Sequence, residues 1–219
     1  MLNKAEDIAD GAKVLDKIND GNKIDLPRIE PKVLEDVTYV DDVIRSTDEV
    51  FDYSKYKLMD GEKIGDFGEG VVEGMLRKEE FGGYDTFYRV QNKSGNGVDI
   101  VATNKKGDVY IAEVKTTQQD RLWNKGETKD IPLSKPQREM GGEKYSTDRL
   151  ERAANKDDGY TDGKSTSEAK KAKEAIKEAK ANGNKIEHKK IDVHVDKDGN
   201  LRNIPKVKEW KAKPPKPKK

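Results

Sequence analysis

Apolar residues first recur at helical spacing over Ile64, Phe67, Val71, Val72, Met75 and Leu76, and Gly82-Gly83 marks where that helix must stop. Tyr84–Gln91 then reads as a strand, and Asn92–Gly97 as a turn. Val98–Thr103 is a second strand, Asn104–Asp108 a polar turn with Gly107 placed for positive φ, and Val109–Thr116 a third, β-branched strand. A polar loop runs to about Pro136, and Gln137–Ala154 is expected to be helical. After the turn-rich stretch Asn155–Ser167 comes a helix of good formers, Glu168–Ala181, with Ser165 or Ser167 as N-cap and Gly183 as its stop. Ile186–Val195, the turn Asp198-Gly199-Asn200 and Leu201–Val207 read as a final hairpin. Helix, three strands, two helices and a hairpin predict an α/β domain built on one central sheet.

The flanks lack this regularity. Residues 1–60 read as a leader, linker or small cap: Ile8, Ala12, Leu15 and Ile18 suit a short helix, then Pro27 and Pro31 break the pattern. Val37–Val43 and Val50–Tyr56 are apolar without clean periodicity. The expected division is therefore 1–60 as an acidic N-terminal extension, 61–208 as the domain, and 209–219 as a basic, disordered tail.

Composition sharpens the picture. Hydrophobic residues make up 32% and charged residues 40% of the 219 positions, so the core is modest and the surface heavily ionised. Cysteine is absent, which removes disulfides and thiolate zinc sites. No apolar run approaches the ~18 residues of a membrane span, and the N-terminus lacks an apolar signal core. The net charge of +1 conceals a split: residues 1–66 carry 17 acidic and 10 basic side chains, and the remainder 26 acidic and 34 basic. A basic body attracts polyphosphate, although a lysine-rich face is commonly just solvated surface.

The candidate chemistry sits on the second and third strands. Side chains alternate along a strand, so Glu113 and Lys115 share one face of Val109–Thr116, above Val109 and Ile111. Charges there are costly unless they are partnered or used. A short turn brings Asp99 alongside, and two carboxylates with an ammonium converge. Such a set suits phosphodiester hydrolysis. Carboxylate oxygens hold Mg²⁺ or Mn²⁺, with Zn²⁺ less favoured, and the metal activates water and polarises the phosphoryl group. Lys115 can orient that water or stabilise developing charge.

Gly97-Val98-Asp99-Ile100-Val101, a spacer, and Ile111-Ala112-Glu113-Val114-Lys115 resemble the Asp…Glu-x-Lys core of the PD-(D/E)XK, restriction-endonuclease-like nucleases. No Pro-Asp pair is present. The resemblance covers about residues 61–208 and implies a central mixed β-sheet flanked by helices. It also implies a further acidic residue from the first helix as a metal ligand beside Asp99 and Glu113: Glu69 and Glu73 are the candidates, and Glu69, nearer the edge of the apolar stripe, is the expected catalytic and metal-holding one. Gln137, Met140, Tyr145 and Arg149-Leu150 resemble the helix that follows the core strands in toxin nucleases of this superfamily, which implies a nucleic-acid-contacting role for Gln137. The later helix and Asp198-Gly199 hairpin look similar to those of contact-dependent, type VI or LXG-type polymorphic toxins. On that resemblance the expected function is a metal-dependent DNase toxin, delivered into the cytoplasm of a target bacterium and neutralised by a cognate immunity protein.

Three alternatives stay open: an RNase, with tRNA as target; a non-catalytic nucleic-acid-binding module; and a repair or restriction nuclease, for which no specificity domain or ATP motif is visible. Other features have plainer readings. His188 and His194 lie ~20 Å apart along an extended strand, cannot chelate one metal, and read as surface residues. Trp123 and Trp210 read as packing anchors. Gly65-x-x-Gly68-x-Gly70 follows no strand and is not a dinucleotide fingerprint. The lysine-rich helix reads as a solvated face.

Overall fold

The densest β-branched runs of the chain form the middle of the sheet. The computed structural model describes residues 51–92, 94–124, 127–157 and 159–213. Within them lie α1 (Ile64–Leu76), β1 (Tyr84–Gln91), β2 (Gly97–Asn104), β3 (Val109–Thr117), the short β4 (Trp123–Asn124) and β5 (Glu127–Thr128), α2 (Lys135–Ala154), α3 (Gly163–Asn182), β6 (Ile186–His194) and β7 (Lys206–Glu209). The main sheet runs β1-β2-β3-β6-β7, and β4 pairs with β5 alone. β1, β2 and β3 form an antiparallel meander, β6 returns parallel to β3 after α2 and α3, and β7 pairs antiparallel to β6. This is the expected α/β architecture, a mixed five-stranded sheet flanked by helices.

Alternation along β3 divides the core into two layers. Tyr110, Ala112 and Val114 pack with Phe67, Val71, Val72, Met75 and Leu76 of α1, whereas Val109 and Ile111 pack with Leu150 and Ala153 of α2 and Ala169 and Ala172 of α3. α1 lies very close to the sheet at Gly68, where a Cβ would stand 1.8 Å from Thr116 Oγ1. Glycine is required there by proximity, and the approach carries the neighbouring Glu69 to the sheet.

Several boundaries differ from expectation. Phe51 is buried in the α1-side core, Tyr53, Tyr56 and Leu58 pack against it, and the Leu58 N–H donates to Gly199 O. The body therefore begins no later than Phe51 instead of near residue 61, because its aromatics fill a core that the helical pattern alone does not close. The expected elements within 1–50 lie outside the described residues. At the other end Trp210 is buried, and the segment to Lys213 docks on α2, so the basic tail does not start at residue 209.

Among the helices, α2 starts at Lys135 and is interrupted at Gly141 (φ 71°). α3 starts earlier than expected and is capped by Asp162, whose carboxylate accepts from the Ser165 N–H at 2.6 Å. The last hairpin has one bridge, Val195 to Leu201, before pairing resumes in β7. Trp210 is the packing anchor expected, against Tyr145, while the Trp123 side chain lies outside the described residues. His194 is buried rather than superficial, and His188 is half-buried with Nδ1 3.4 Å from Ser146 Oγ, because β6 is an interior strand of the sheet. Among the described residues no helix is long and apolar enough to cross a membrane.

Candidate active site

Asp99 reaches the site through a β-bulge. Tyr88 pairs with Val101 and Val90 with Val98, so Arg89 alone faces two residues, Asp99 and Ile100. A bulge bends the strand and re-aims a side chain. Here it turns the Asp99 carboxylate towards β3, where Oδ2 accepts from the Val114 N–H at 2.8 Å. Gly97 permits the crossing: a Cβ there would stand 1.8 Å from Val90 O.

Glu113 projects from β3 into the same region and is 2% exposed. Its Oε1 receives Lys115 Nζ at 2.6 Å and Gln137 Nε2 at 2.5 Å, while its buried Oε2 has no donor. Gln137 is held for this task by its own helix: its Oε1 accepts from the Ser134 N–H at 3.0 Å, ahead of the first turn of α2. Asp99 lies close enough to Glu113 for their carboxyl groups to share a hydrogen bond. Tyr145 of α2, bonded to Gln137 and Arg149, completes this side of the cluster.

Glu69 comes from α1 on the other side of the sheet. Gln91 at the end of β1 joins it to Asp99, donating to Glu69 Oε1 at 2.8 Å and to Asp99 Oδ1 at 3.0 Å. Glu73 points elsewhere and pairs with Arg89 at 2.8 Å, consistent with Glu69 being the inward-reaching residue of the two. Arg89 also lies 3.7 Å from Glu69.

Burial of so many carboxyls with few cations decides the electrostatics. Burial, then the Asp99 charge, pushes Glu113 up to about 8, against the opposing pull of Lys115 and Gln137. Burial also raises Asp99, although Lys115, the Val114 N–H and Gln91 favour its charged form. Glu69 is pushed up to about 7 by burial and by Asp99. Burial pulls Lys115 down, but Glu113 and Asp99 outweigh it and hold the ammonium more firmly protonated. The site has an excess of negative charge that one lysine does not neutralise.

These groups suit a hard divalent cation by their chemistry: all-oxygen donors, a carboxylate oxygen with no donor, and carboxyls that ionise reluctantly without a positive charge. Among the described residues no three His, Cys, Asp or Glu side chains are gathered tightly enough to hold an ion by themselves. Asp99 and Glu113 are adjacent, whereas Glu69 is linked to them through Gln91. Mg²⁺ is commonly held by one or two carboxylates, with water and phosphate oxygens filling the rest of its shell.

A second charged cluster adjoins the first. In the parallel register Glu113 pairs with Lys190 and Lys115 with Asp192. Lys190 and Asp192 form a buried ion pair at 2.8 Å, Lys190 also reaches Asp130 at 3.2 Å, and Lys208 joins Asp130. The Ile131 N–H donates to Asp192 at 3.5 Å. This cluster fastens the connection preceding α2 onto β6 and so steadies Gln137.

Sequence reasoning named Asp99, Glu113, Lys115, Glu69 and Gln137; the Glu113 carboxylate contacts Lys115 and Gln137 and adjoins Asp99, whereas Glu69 is joined to Asp99 only through Gln91. It missed Gln91, Arg89 and the Lys190–Asp192 pair. Only the alternation of Lys190, Asp192 and His194 along β6 signalled a polar row facing Glu113 and Lys115, and that signal needs the register to be read.

No family model and no curated protein matches this sequence. Among solved structures, the chain is similar to "The structure of Pyrococcus Furiosus SfsA in complex with Ca2+", at 17% identity and a TM-score of 0.27. The match covers 68% of this chain and 65%, under two thirds, of that one. A likeness this distant carries no argument about what the present chain does.

Proposed function

We propose that the protein is a metal-dependent phosphodiesterase acting on nucleic acid, with Asp99 and Glu113 as the metal-holding pair. The observation that carries this reading is Glu113 itself. It is a buried carboxylate with one oxygen saturated by Lys115 and Gln137 and the other without a donor, set against Asp99. A divalent cation bound there supplies Lewis acidity towards a phosphoryl oxygen and lowers the pKa of a coordinated water. The Lys115 ammonium would orient an attacking water and offset charge that develops on the phosphoryl oxygens. Gln137 fixes the carboxylate plane of Glu113, and Gln91 holds Glu69 towards Asp99. Glu69 would be the third carboxylate available to the cation, through its link to Asp99.

The narrower reading, a DNase toxin with an immunity protein, rests on the sequence resemblance of the Asp99, Glu113-x-Lys115 and Gln137 segments to toxin nucleases. In that reading an acidic partner surface meets the basic body, and the chain acts in the cytoplasm of a target bacterium.

The test incubates purified full-length chain with plasmid and with total RNA, in Mg²⁺, Mn²⁺ or EDTA. Cleavage that needs the metal and falls at least about 100-fold in Asp99→Asn, Glu113→Gln and Lys115→Met is expected. Full activity in EDTA, or in any folded variant of the three, overturns the assignment. Growth arrest on cytoplasmic expression in bacteria, absent for Glu113→Gln, tests the toxin reading separately.

A further inference from the structure

Strand register carries the polar row of the site beyond its carboxylates. Asp99 on β2 adjoins Glu113 on β3, Glu113 pairs with Lys190 on β6, and Lys190 pairs with Lys208 on β7. Cross-strand partners present their side chains to the same face of a sheet, so two acids are followed by two lysines across four neighbouring strands. At about 4.8 Å per strand, the Lys208 backbone stands about 10 Å from that of Glu113. Lys190 is singled out by its burial: it is 6% exposed, and among the described residues no other lysine or arginine is so enclosed. A lysine this deep is rare unless it is paired.

Both ammoniums converge on one anion oxygen. Asp130, on the connection before α2, accepts from Lys190 Nζ on its Oδ1 at 3.2 Å, and Lys208 donates to the same oxygen. Behind them lies Asp192, 2.8 Å from Lys190 Nζ and 3.6 Å from Lys208 Nζ. The two carboxylates differ in how firmly they belong to the cluster. Asp192 is fully buried, so separating it from Lys190 would strand a charge away from water. The Asp130 side chain is 62% exposed, and an exposed ion pair contributes little to stability. Ile131 beside it is buried and its N–H donates to Asp192, so the connection stays in place when the Asp130 side chain swings out. Asp192 thus neutralises one lysine, and a replaceable carboxylate meets the second.

We propose that Lys190 and Lys208 form a phosphate-binding subsite, capped in the free protein by the Asp130 carboxylate, for a backbone phosphate of the nucleic acid acted on at Asp99 and Glu113. The ligand is a phosphodiester. Its anionic oxygen replaces Asp130 Oδ1 between the same two ammoniums, and lysine binds phosphate as a point charge without reading bases. A spacing of about 10 Å is roughly three nucleotide steps along a strand, so the phosphate held here flanks the one at the carboxylates. The row then divides by charge: its acidic half takes a cation, and its lysine half takes the substrate directly. The inference rests on the nucleic-acid reading of the site, but it concerns affinity and not cleavage.

The experiment measures binding of full-length protein in EDTA to fluorescein-labelled duplex and single-stranded DNA by anisotropy, across a salt series. Lys208 carries the test because Lys190→Gln would strand the buried Asp192 and destabilise the fold. The controls are Asp85→Asn and Lys105→Gln, exposed residues at the opposite end of the β1–β2 pair from Gln91. One phosphate contact carries a salt slope of about 0.9 on duplex DNA, or about 0.7 on single strands, which is worth about fivefold at about 0.15 M salt. Lys208→Gln should lower the slope by about that amount and weaken binding about three- to tenfold. Asp130→Asn should tighten binding about two- to fivefold, and tighten it less in the Lys208→Gln background, where half of the subsite is gone. The two controls should each stay within about twofold of the wild type. With cleavage assayed in Mg²⁺, Lys208→Gln should raise KM and leave kcat within about twofold. An unchanged slope in folded Lys208→Gln, a gain in Asp130→Asn no larger than in Asp85→Asn, or a gain undiminished in the Lys208→Gln background overturns the subsite. So does a fall in kcat alone. A wild type that shows these binding differences yet cleaves nothing in Mg²⁺ or Mn²⁺ retains the subsite and sinks the phosphodiesterase reading instead.

Discussion

Glu113→Gln is expected to stabilise the metal-free protein at alkaline pH and to change little at acid pH. In the unfolded chain this carboxyl ionises near its ordinary value of 4.5, whereas burial and then Asp99 push it up to about 8 in the fold. Between those values the folded state holds a proton that the unfolded state has released. Stability therefore falls as pH rises through that window, and the penalty is absent below it. At about 1.36 kcal/mol per pH unit, the interval from 4.5 to 8 costs the fold at most about 4–5 kcal/mol.

Two features of the site reduce the expected gain. Asp99 is also raised and shares the proton, and the amide leaves Lys115 without its nearest carboxylate. A net gain of about 1–2 kcal/mol at pH 8 remains, a melting-temperature rise of about 2–8 °C for a domain of this size. The amide can be accommodated, since its nitrogen can take the place of Oε2, which has no donor, and donate to the adjacent Asp99 carboxyl. Thermal melts by circular dichroism in EDTA at pH 5 and pH 8 read the difference. Mg²⁺ at pH 8 should raise the melting temperature of the wild type more than that of the variant. A variant no more stable than wild type at pH 8, or equally stabilised at both pH values, refutes the argument that burial and Asp99 hold Glu113 protonated.

Two further outcomes test the fold around the site. Phe51 is 1% exposed in the α1-side core, so Phe51→Ala should cost about 3–5 kcal/mol in urea denaturation, and a chain beginning at residue 58 should be destabilised at least as much. His194 is buried, its Nε2 has no partner, and burial depresses its pKa, with Arg202, Lys190 and Lys206 adding to the effect and the Lys129 carbonyl opposing it. The unfolded chain takes up a proton below about 6.5 that the fold resists, so stability should fall as pH drops through that value, and His194→Gln should flatten this acid limb.

The regular elements were legible because their periods are strong. The apolar stripe from Ile64 to Leu76 and the alternation on β3 state both the element and the face it buries, and Gly183 stops α3 in the left-handed conformation as expected. The pairing of Glu113 with Lys115 follows from strand parity alone. The position of Asp99 does not, since regular pairing was assumed and a bulge supplies the last turn of its side chain. The two boundaries, at Phe51 and at Trp210, were misplaced for a related reason, although Trp210 is the packing anchor expected. Each rests on a single aromatic outside any periodic run, whose burial depends on which surface of the body lies opposite. His194 escaped because a strand's parity says which face a residue is on, but not whether a later strand covers that face.

The way each carboxylate is held separates the rigid part of the site from the adjustable part. Asp99 is fixed by a backbone N–H of β3, and Glu113 by a glutamine whose own amide oxygen is bound at the start of α2. Both restraints belong to elements packed against the two core layers, so moving either carboxylate disturbs the sheet or the helix. Glu69 is tied to Asp99 only through the Gln91 side chain, and its other neighbour, Arg89, is shared with Glu73. Rotation of one amide releases it without breaking any backbone bond. The pair that would meet a metal is therefore preorganised, and the third carboxylate can approach or withdraw as charge at the centre changes. A site with too little positive charge to neutralise three rigid buried acids needs such a movable member, because repulsion that cannot be relieved by a side-chain rotation would be borne by the fold itself.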